Sequence, residues 1–204
     1  LAILDGLRTA LPRHADRIAE AITAEMGKPR GEALIEARGI AQKLADTAAL
    51  FSHELAAAHP NAPGEQRHHA LGVVGIIGPF NFPVHLINTH LLPTLLAGNT
   101  VVCKPSDLTP LAGQRYAELF HDAGLPPGVF NLVQGASAVG QALVADPRLR
   151  GLIFTGGWHT ARHIQKALLE RPGVKLALEL GGKNPAVVLE DAALDHAVRE
   201  ILLG

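Results

Sequence analysis

The chain has 204 residues, 48% hydrophobic and 18% charged, with a formal net charge of -1. That length and apolar fraction allow one large or two small packed domains, and the balanced charge gives no electrostatic reason to expect nucleic acid or an anionic membrane as partner. A single cysteine excludes an internal disulfide framework and fits a reducing compartment, and with no signal peptide or membrane-length apolar run the expectation is a soluble, cytoplasmic protein.

Residues 1–27 read as one or two helices broken at Pro12, with Ile18, Ile22 and Met26 on one face and Gly27 as a stop. Lys28-Pro29 turns the chain. A long alanine-rich helix over 31–58 then places Ala37, Ile40, Leu44, Ala48, Phe51 and Leu55 on one stripe, as a scaffold helix would. His59 to Ala70 is a Pro, Gly and Asn-rich connection, and the expected boundary falls there: a helical region and linker over 1–70, a dinucleotide-binding domain over 71–204. His68 and His69 within it point to opposite sides of an extended chain and make a poor metal pair.

Leu71 to Pro105 organises the rest. Leu71–Gly78 reads as a buried strand and Thr100–Pro105 as another. Between them 84–97 is a helix, with Leu86, Leu91 and Leu95 at helical spacing and Gly98-Asn99 as its stop. Strand, helix, strand is a βαβ unit, which implies a parallel sheet with ligands at the carboxyl ends of the strands. Asn81 and Lys104 stand at those ends and should face a ligand. Thr109 and Pro110 should open a helix as N-cap and first helical residue, running from Leu111 to Ala123. Strands over 129–133, 151–155 and 175–180 alternate with helices over 138–145 and 160–170. The class is α/β, a doubly wound parallel sheet preceded by a helical region.

The ends carry information too. The chain starts at Leu1 rather than Met and stops just after an amphipathic pattern, Leu194, Val198, Ile201 and Leu202, that needs a partner face. It reads as a piece of a longer protein.

Glycine spacing misleads here. Gly72, Gly75 and Gly78 do not match GxGxxG, and Gly135 to Gly140 has phosphate-loop spacing but Gln141-Ala142 where Lys and Ser/Thr are required. Asn81, framed by two aromatics and two prolines, is a neutral donor that could face a developing oxyanion, or an asparagine that caps a turn beside Pro83. Glu179, at the end of an apolar strand before Gly181 and Gly182, is placed for partial burial and a raised pKa suited to a general base, or for a salt bridge with Lys175 or Lys183. Cys103 lies inside the strand VVCKP as a small hydrophobe, with Lys104 turned to the other face. His159 and His163 are four apart but lack the carboxylate of HExxH, and no metal is expected.

PFNFP (79–83), AGNTVVCKPSDLTP (97–110), FTGGWHTA (154–161) and LELGGKNP (178–185), in this order, resemble the NAD(P)-dependent aldehyde dehydrogenase family over essentially the whole chain. EMGKPRGEA, HLINTHLLPTLLAGNT, GLPPGVFNLVQG and LALELGGKNP are most similar to its N-succinylglutamate semialdehyde branch. The resemblance implies oxidation of an aldehyde to a carboxylate with NAD, the aldehyde being an amino-acid-derived semialdehyde as in arginine catabolism, by a protein that is homo-oligomeric at full length. It makes Asn81 the oxyanion donor and Glu179 the base that activates the hydrolytic water. It assigns cofactor contacts to Gly78, Pro79, Phe80, Lys104, Ser106, Asp107, Gly135, Gly140, Phe154, Gly156, Gly157, Thr160, Leu180 and Gly181. The nucleophilic cysteine of the family would lie past Gly204, so the isolated chain should be inactive.

Three departures accompany the likeness. Asp107 stands where the family carries glutamate; a carboxylate there accepts ribose hydroxyls and repels an extra phosphate, which favours NAD over NADP. Gly157 replaces a serine and Ala161 a glycine in the loop expected at the pyrophosphate. Two rivals remain open: a non-catalytic nucleotide-binding or interaction module, and an acylating enzyme that uses phosphate or CoA, against which Glu179 argues.

Overall fold

The structure, a computed structural model, describes residues 2–56 and 68–203. Residues 59–67 of the predicted connection and the last residues of the predicted second helix, 57 and 58, lie outside them. Twelve elements are described. Helices α1 (Ala2–Met26) and α2 (Arg30–Ala56) precede β1 (Val73–Ile77), α3 (His85–Leu96), β2 (Thr100–Lys104), α4 (Pro110–Asp122) and β3 (Phe130–Leu132). Then follow α5 (Ser137–Ala145), β4 (Leu149–Gly156), α6 (Trp158–Leu168), β5 (Lys175–Leu180) and α7 (Leu194–Leu203).

All strand pairs are parallel, in the order β3-β2-β1-β4-β5. Such an order reverses between β1 and β4, and that switch point is where open α/β sheets leave a crevice. Alternation along the strands sorts side chains to two faces. Ile76, Val101 and Cys103 join one core with α1 to α4, whereas Leu152 and Phe154 join a second core with Val144, Ala161, Ile164 and Leu168 of α5 and α6. Helices on both faces make the sheet doubly wound, as the pattern of elements predicts.

Two expectations fail locally. Pro12 does not break α1, which runs unbroken from Ala2 to Met26. An internal proline costs about 3 kcal/mol in a helix, but Leu4, Leu7, Leu11, Ala15, Ile18 and Ile22 are all buried along this one and burial outweighs the defect. Thr109 occupies the N-cap of α4 without a side-chain cap bond, and its buried Oγ1 has no partner among the described residues. Glu25 of α1 does the capping instead, accepting from the N–H of Leu111 (2.7 Å) and Ala112 (2.8 Å).

The junction between α3 and β2 works as its sequence suggests. Asn99 is buried; its Oδ1 accepts from the N–H of Leu71 (2.6 Å) and Gly72 (3.0 Å), and its Nδ2 donates to Thr94 O (3.0 Å). One side chain therefore ties the end of the helix to the start of β1. Leu91 of α3 is wholly buried and Leu95 packs on the same core, but Leu86 turns away from that stripe toward the cleft described next.

Candidate active site

A cleft of about 1600 Å³ opens at the carboxyl ends of β1, β2, β4 and β5. Ligand pockets commonly span about 300–1,000 Å³, so this one has room for an extended molecule. It lies at the switch point because the loops after β1 and β4 must diverge to opposite faces of the sheet. Gly78, Pro79, Phe80 and Asn81 enter it from the loop after β1, and Lys104, Ser106 and Asp107 from the loop after β2. Phe154, Gly156, Gly157 and Thr160 come from the β4–α6 junction, Gly140 from α5, and Glu179, Leu180 and Gly181 from the end of β5. Asn81 and Glu179 thus look into one space.

Gly135 is the exception among the predicted site residues: it does not line the cleft. Its φ is +144° and a Cβ there would collide with Val139 Cγ2, so its role is to let the chain turn tightly into α5. Gly156 lines the cleft but its missing Cβ leaves space for the ring of Phe154, whose Cζ would lie 2.6 Å away. Gly157 and Gly181 are the cleft glycines with open space around them. Ala161 is fully buried in the core beneath.

Glu179 is exposed rather than partly buried. It pairs in register with Thr155 on β5, the edge strand, where residues alternate between exposed and half-buried. Lys175, Ala177 and Glu179 share the face that no helix covers among the described residues. The burial expected from the apolar sequence depends on such a cover. Glu179 forms no salt bridge with Lys175 or Lys183 among the described residues. Asn81 is exposed too, and its amide has no hydrogen-bond partner among the described residues, so the turn-capping alternative finds no bond to rest on. Among the described residues, then, both side chains are exposed in the cleft.

Lys104 is buried, and its Nζ donates to Pro105 O at 2.9 Å. Burial pushes its ammonium below the ordinary lysine value, while nearby Asp107 and Cys103 pull it back. Cys103 faces the opposite side of β2 and burial pushes its thiol up to about 12, with Lys104 opposing. A thiol so placed stays protonated and is a poor nucleophile. Ser106 accepts from the N–H of Leu108 (3.2 Å), and Asp107 is exposed at the rim.

At the start of α6 the N-cap Gly157 makes no side-chain cap bond. The first-turn N–H groups of that helix therefore remain available beside the cleft, an arrangement that suits a phosphate. Trp158 is exposed and lines the same mouth. His163 Nδ1 lies 2.8 Å from His159 O, the two rings are tilted at 4.6 Å, and no group of three His, Cys, Asp or Glu gathers as a metal site among the described residues.

His90 is the titratable group that sequence reasoning overlooked. It lines the cleft from α3 with Leu86 and Thr89, and burial pushes its ring below the ordinary histidine value while Glu179 pulls it up. Spacing could have found it: 86 and 90 are one helical turn apart, just beyond Asn81.

A sequence profile of the aldehyde dehydrogenase family matches residues 1–204. N-succinylglutamate 5-semialdehyde dehydrogenase of Pseudomonas fluorescens (strain Pf0-1) is 42% identical over 205 residues, which cover 99% of this chain and 42% of that relative. The chain therefore spans about two fifths of the curated relative's length. A crystal structure described as an E. coli NADP dependent enzyme superposes with a TM-score of 0.86 at 35% identity, covering 98% of this chain and 43% of the other. Betaine aldehyde dehydrogenase of Staphylococcus aureus in complex with NAD+ gives a TM-score of 0.85 at 29% identity, covering 98% and 41%. With a profile that matches end to end and a switch-point cleft entered by all four sequence motifs, this chain belongs to the aldehyde dehydrogenase family.

Proposed function

We propose that these residues are the dinucleotide-binding part of an enzyme that oxidises an amino-acid-derived semialdehyde, such as N-succinylglutamate semialdehyde, to a carboxylate with NAD in the cytoplasm. The observation that carries this reading is that Asn81 and Glu179, from loops far apart in sequence, line one cleft with the uncapped start of α6. NAD fits the residues present: α6 supplies free N–H groups and Gly157 open space for a diphosphate, and Asp107 stands exposed at the rim for a ribose, with buried Lys104 lining the cleft beside it. When bound, it supplies the hydride acceptor.

The chain's own residues then have these roles. The Asn81 amide donates to the oxygen that gains charge when a nucleophile adds to the aldehyde carbon. Glu179 takes a proton from the water that later cleaves the acyl group. Asp107 discriminates against a 2′-phosphate by charge. The nucleophile is a cysteine thiolate from residues outside this sequence, because Cys103 is buried on the far face of β2 with its thiol held protonated.

The test is NADH formation by the protein expressed from its complete reading frame. Turnover with the semialdehyde is expected, and Asn81→Ala should lower kcat by about 10²–10³-fold. Glu179→Gln should leave one rapid equivalent of NADH per site and then stall, since the base is needed only for hydrolysis. A protein that binds NAD yet oxidises no aldehyde would be a nucleotide-binding module instead. Titration should show tighter NAD than NADP; the reverse order would refute discrimination by Asp107. The 204 residues alone should form no NADH, and measurable turnover by them would refute the external nucleophile.

A further inference from the structure

Lys28 and Glu36 form a buried ion pair beneath the loop that carries Asn81, and neither residue lines the cleft. Lys28 sits in the turn between α1 and α2 and is 8% exposed; Glu36 lies in the second turn of α2 and is 5% exposed. Lys28 Nζ donates to Glu36 Oε2 at 2.5 Å. The other carboxylate oxygen accepts from the backbone N–H of Val84 (3.1 Å) and His85 (3.0 Å), the N-cap and first residue of α3, which has no side-chain cap of its own. The same ammonium lies 3.7 Å from the ring centroid of Phe82, next in sequence to Asn81, and that ring meets His85 edge-on at 6.0 Å.

A buried ion pair is poor value for stability alone, because both charges must leave water; what it can provide is one fixed arrangement. Here both charges act on the same short segment, at Phe82, Val84 and His85. Glu36 holds the backbone on the carboxyl side of Asn81, and Lys28 holds the Phe82 ring by cation–π attraction. Pro79 and Pro83 restrict the backbone on either side. Asn81 itself has no bond to the rest of the chain among the described residues, so its direction is set by this clamp.

We propose that Lys28 and Glu36 are positioning residues for Asn81, acting through Phe82 and the first turn of α3. The catalytic half of this inference rests on the proposed function; the clamp itself does not. A donor displaced by about 1 Å can lose on the order of 10²-fold in rate, and the loss cannot exceed what Asn81 supplies.

Two measurements on the protein from its complete reading frame separate these. In a kinetic cycle, Lys28→Met should lower kcat by about 10–100-fold with KM for NAD changed less than about 3-fold, and should cost less than about 3-fold in the Asn81→Ala background. Phe82→Leu, which leaves the ion pair intact, should show the same dependence on Asn81 with a smaller loss. Equal losses in both backgrounds, or no loss, would overturn the positioning role. In hydrogen exchange, Val84 and His85 amides should exchange at least about 10-fold faster in Lys28→Met and Glu36→Gln while β1 and β2 amides keep their protection. Unchanged exchange at Val84 and His85, or an equal rise throughout the sheet, would overturn the clamp. A wild-type protein inert toward aldehydes would defeat the proposed function, and the exchange data would still judge the clamp.

Discussion

Asn81 and Glu179 face one cleft from flanks of the sheet that are built differently. On the β1–β2–β3 flank, α3 and α4 cover one face and are themselves packed against α1 and α2, so that Ile18, Leu44, Leu91 and Leu119 are wholly buried. The starts of α3 and α4 are each capped by a carboxylate brought from another helix, Glu36 and Glu25. On the β5 flank every second strand residue is exposed, and α7 turns Leu194, Val198, Ile201 and Leu202 to solvent. The two proposed catalytic groups are therefore supported differently: the oxyanion donor is clamped by its own chain, and the base stands on an edge strand that no helix covers among the described residues.

Substitutions can break this comparison. The largest effect should come from Leu91→Ala on the buried flank, about 2–5 kcal/mol of stability in urea denaturation, because the cavity cannot be filled by neighbours already packed. A loss under about 1 kcal/mol would mean that α3 is not held as tightly as its burial indicates. Next, Glu25→Gln should cost about 0.5–2 kcal/mol, whereas Thr109→Val should be neutral or slightly stabilising, since the buried hydroxyl has no bond to lose. If Thr109→Val proved the costlier change, capping from α1 would be wrong. On the other flank Leu202, 79% exposed, should tolerate Ala within about 0.5 kcal/mol.

The smallest effect sharpens the comparison where the flanks meet. His90 on α3 is pushed below its ordinary value of 6.5 chiefly by burial, and Glu179 on β5 opposes that shift. The neutral ring is therefore the form the fold favours. Its contribution to stability is present above about pH 6.5 and lost as pH falls through the lowered folded value. An NMR titration of the His90 ring should give a midpoint below 6.5, and Glu179→Gln should move it lower still. A midpoint that ignores Glu179→Gln would show that the two groups do not sense each other across the cleft.

Much of the site was readable because it is local. A strand that ends in Gly78-Pro79 has to release its next residues at the sheet's edge, so Asn81 could be placed at a ligand; the same holds for Lys104 after β2 and for Gly157 before α6. Cys103 and Lys104 could be sent to opposite faces by strand alternation alone. What failed involved partners distant in sequence. Thr109 has the chemistry of a cap, but Glu25, 86 positions before Leu111, reaches the N–H groups of α4. EMGKPRGEA could be recognised as a motif without revealing that its lysine, with Glu36 just beyond it, grips the loop of Asn81.

The cofactor-contact assignments came from the family resemblance, while periodicity, glycine stops and strand-end motifs by themselves determined the order of elements, the doubly wound class and the position of Asn81 and Lys104 at strand ends. These follow from interactions within a few positions along the backbone, which a linear text records. Only the tertiary structure decided that α1 passes through Pro12, that imported carboxylates cap α3 and α4, that Gly135 serves a turn and that Glu179 lies exposed. Each depends on which distant surface arrives to cover a group or leaves it in water, and burial is a property of the assembled fold rather than of any segment.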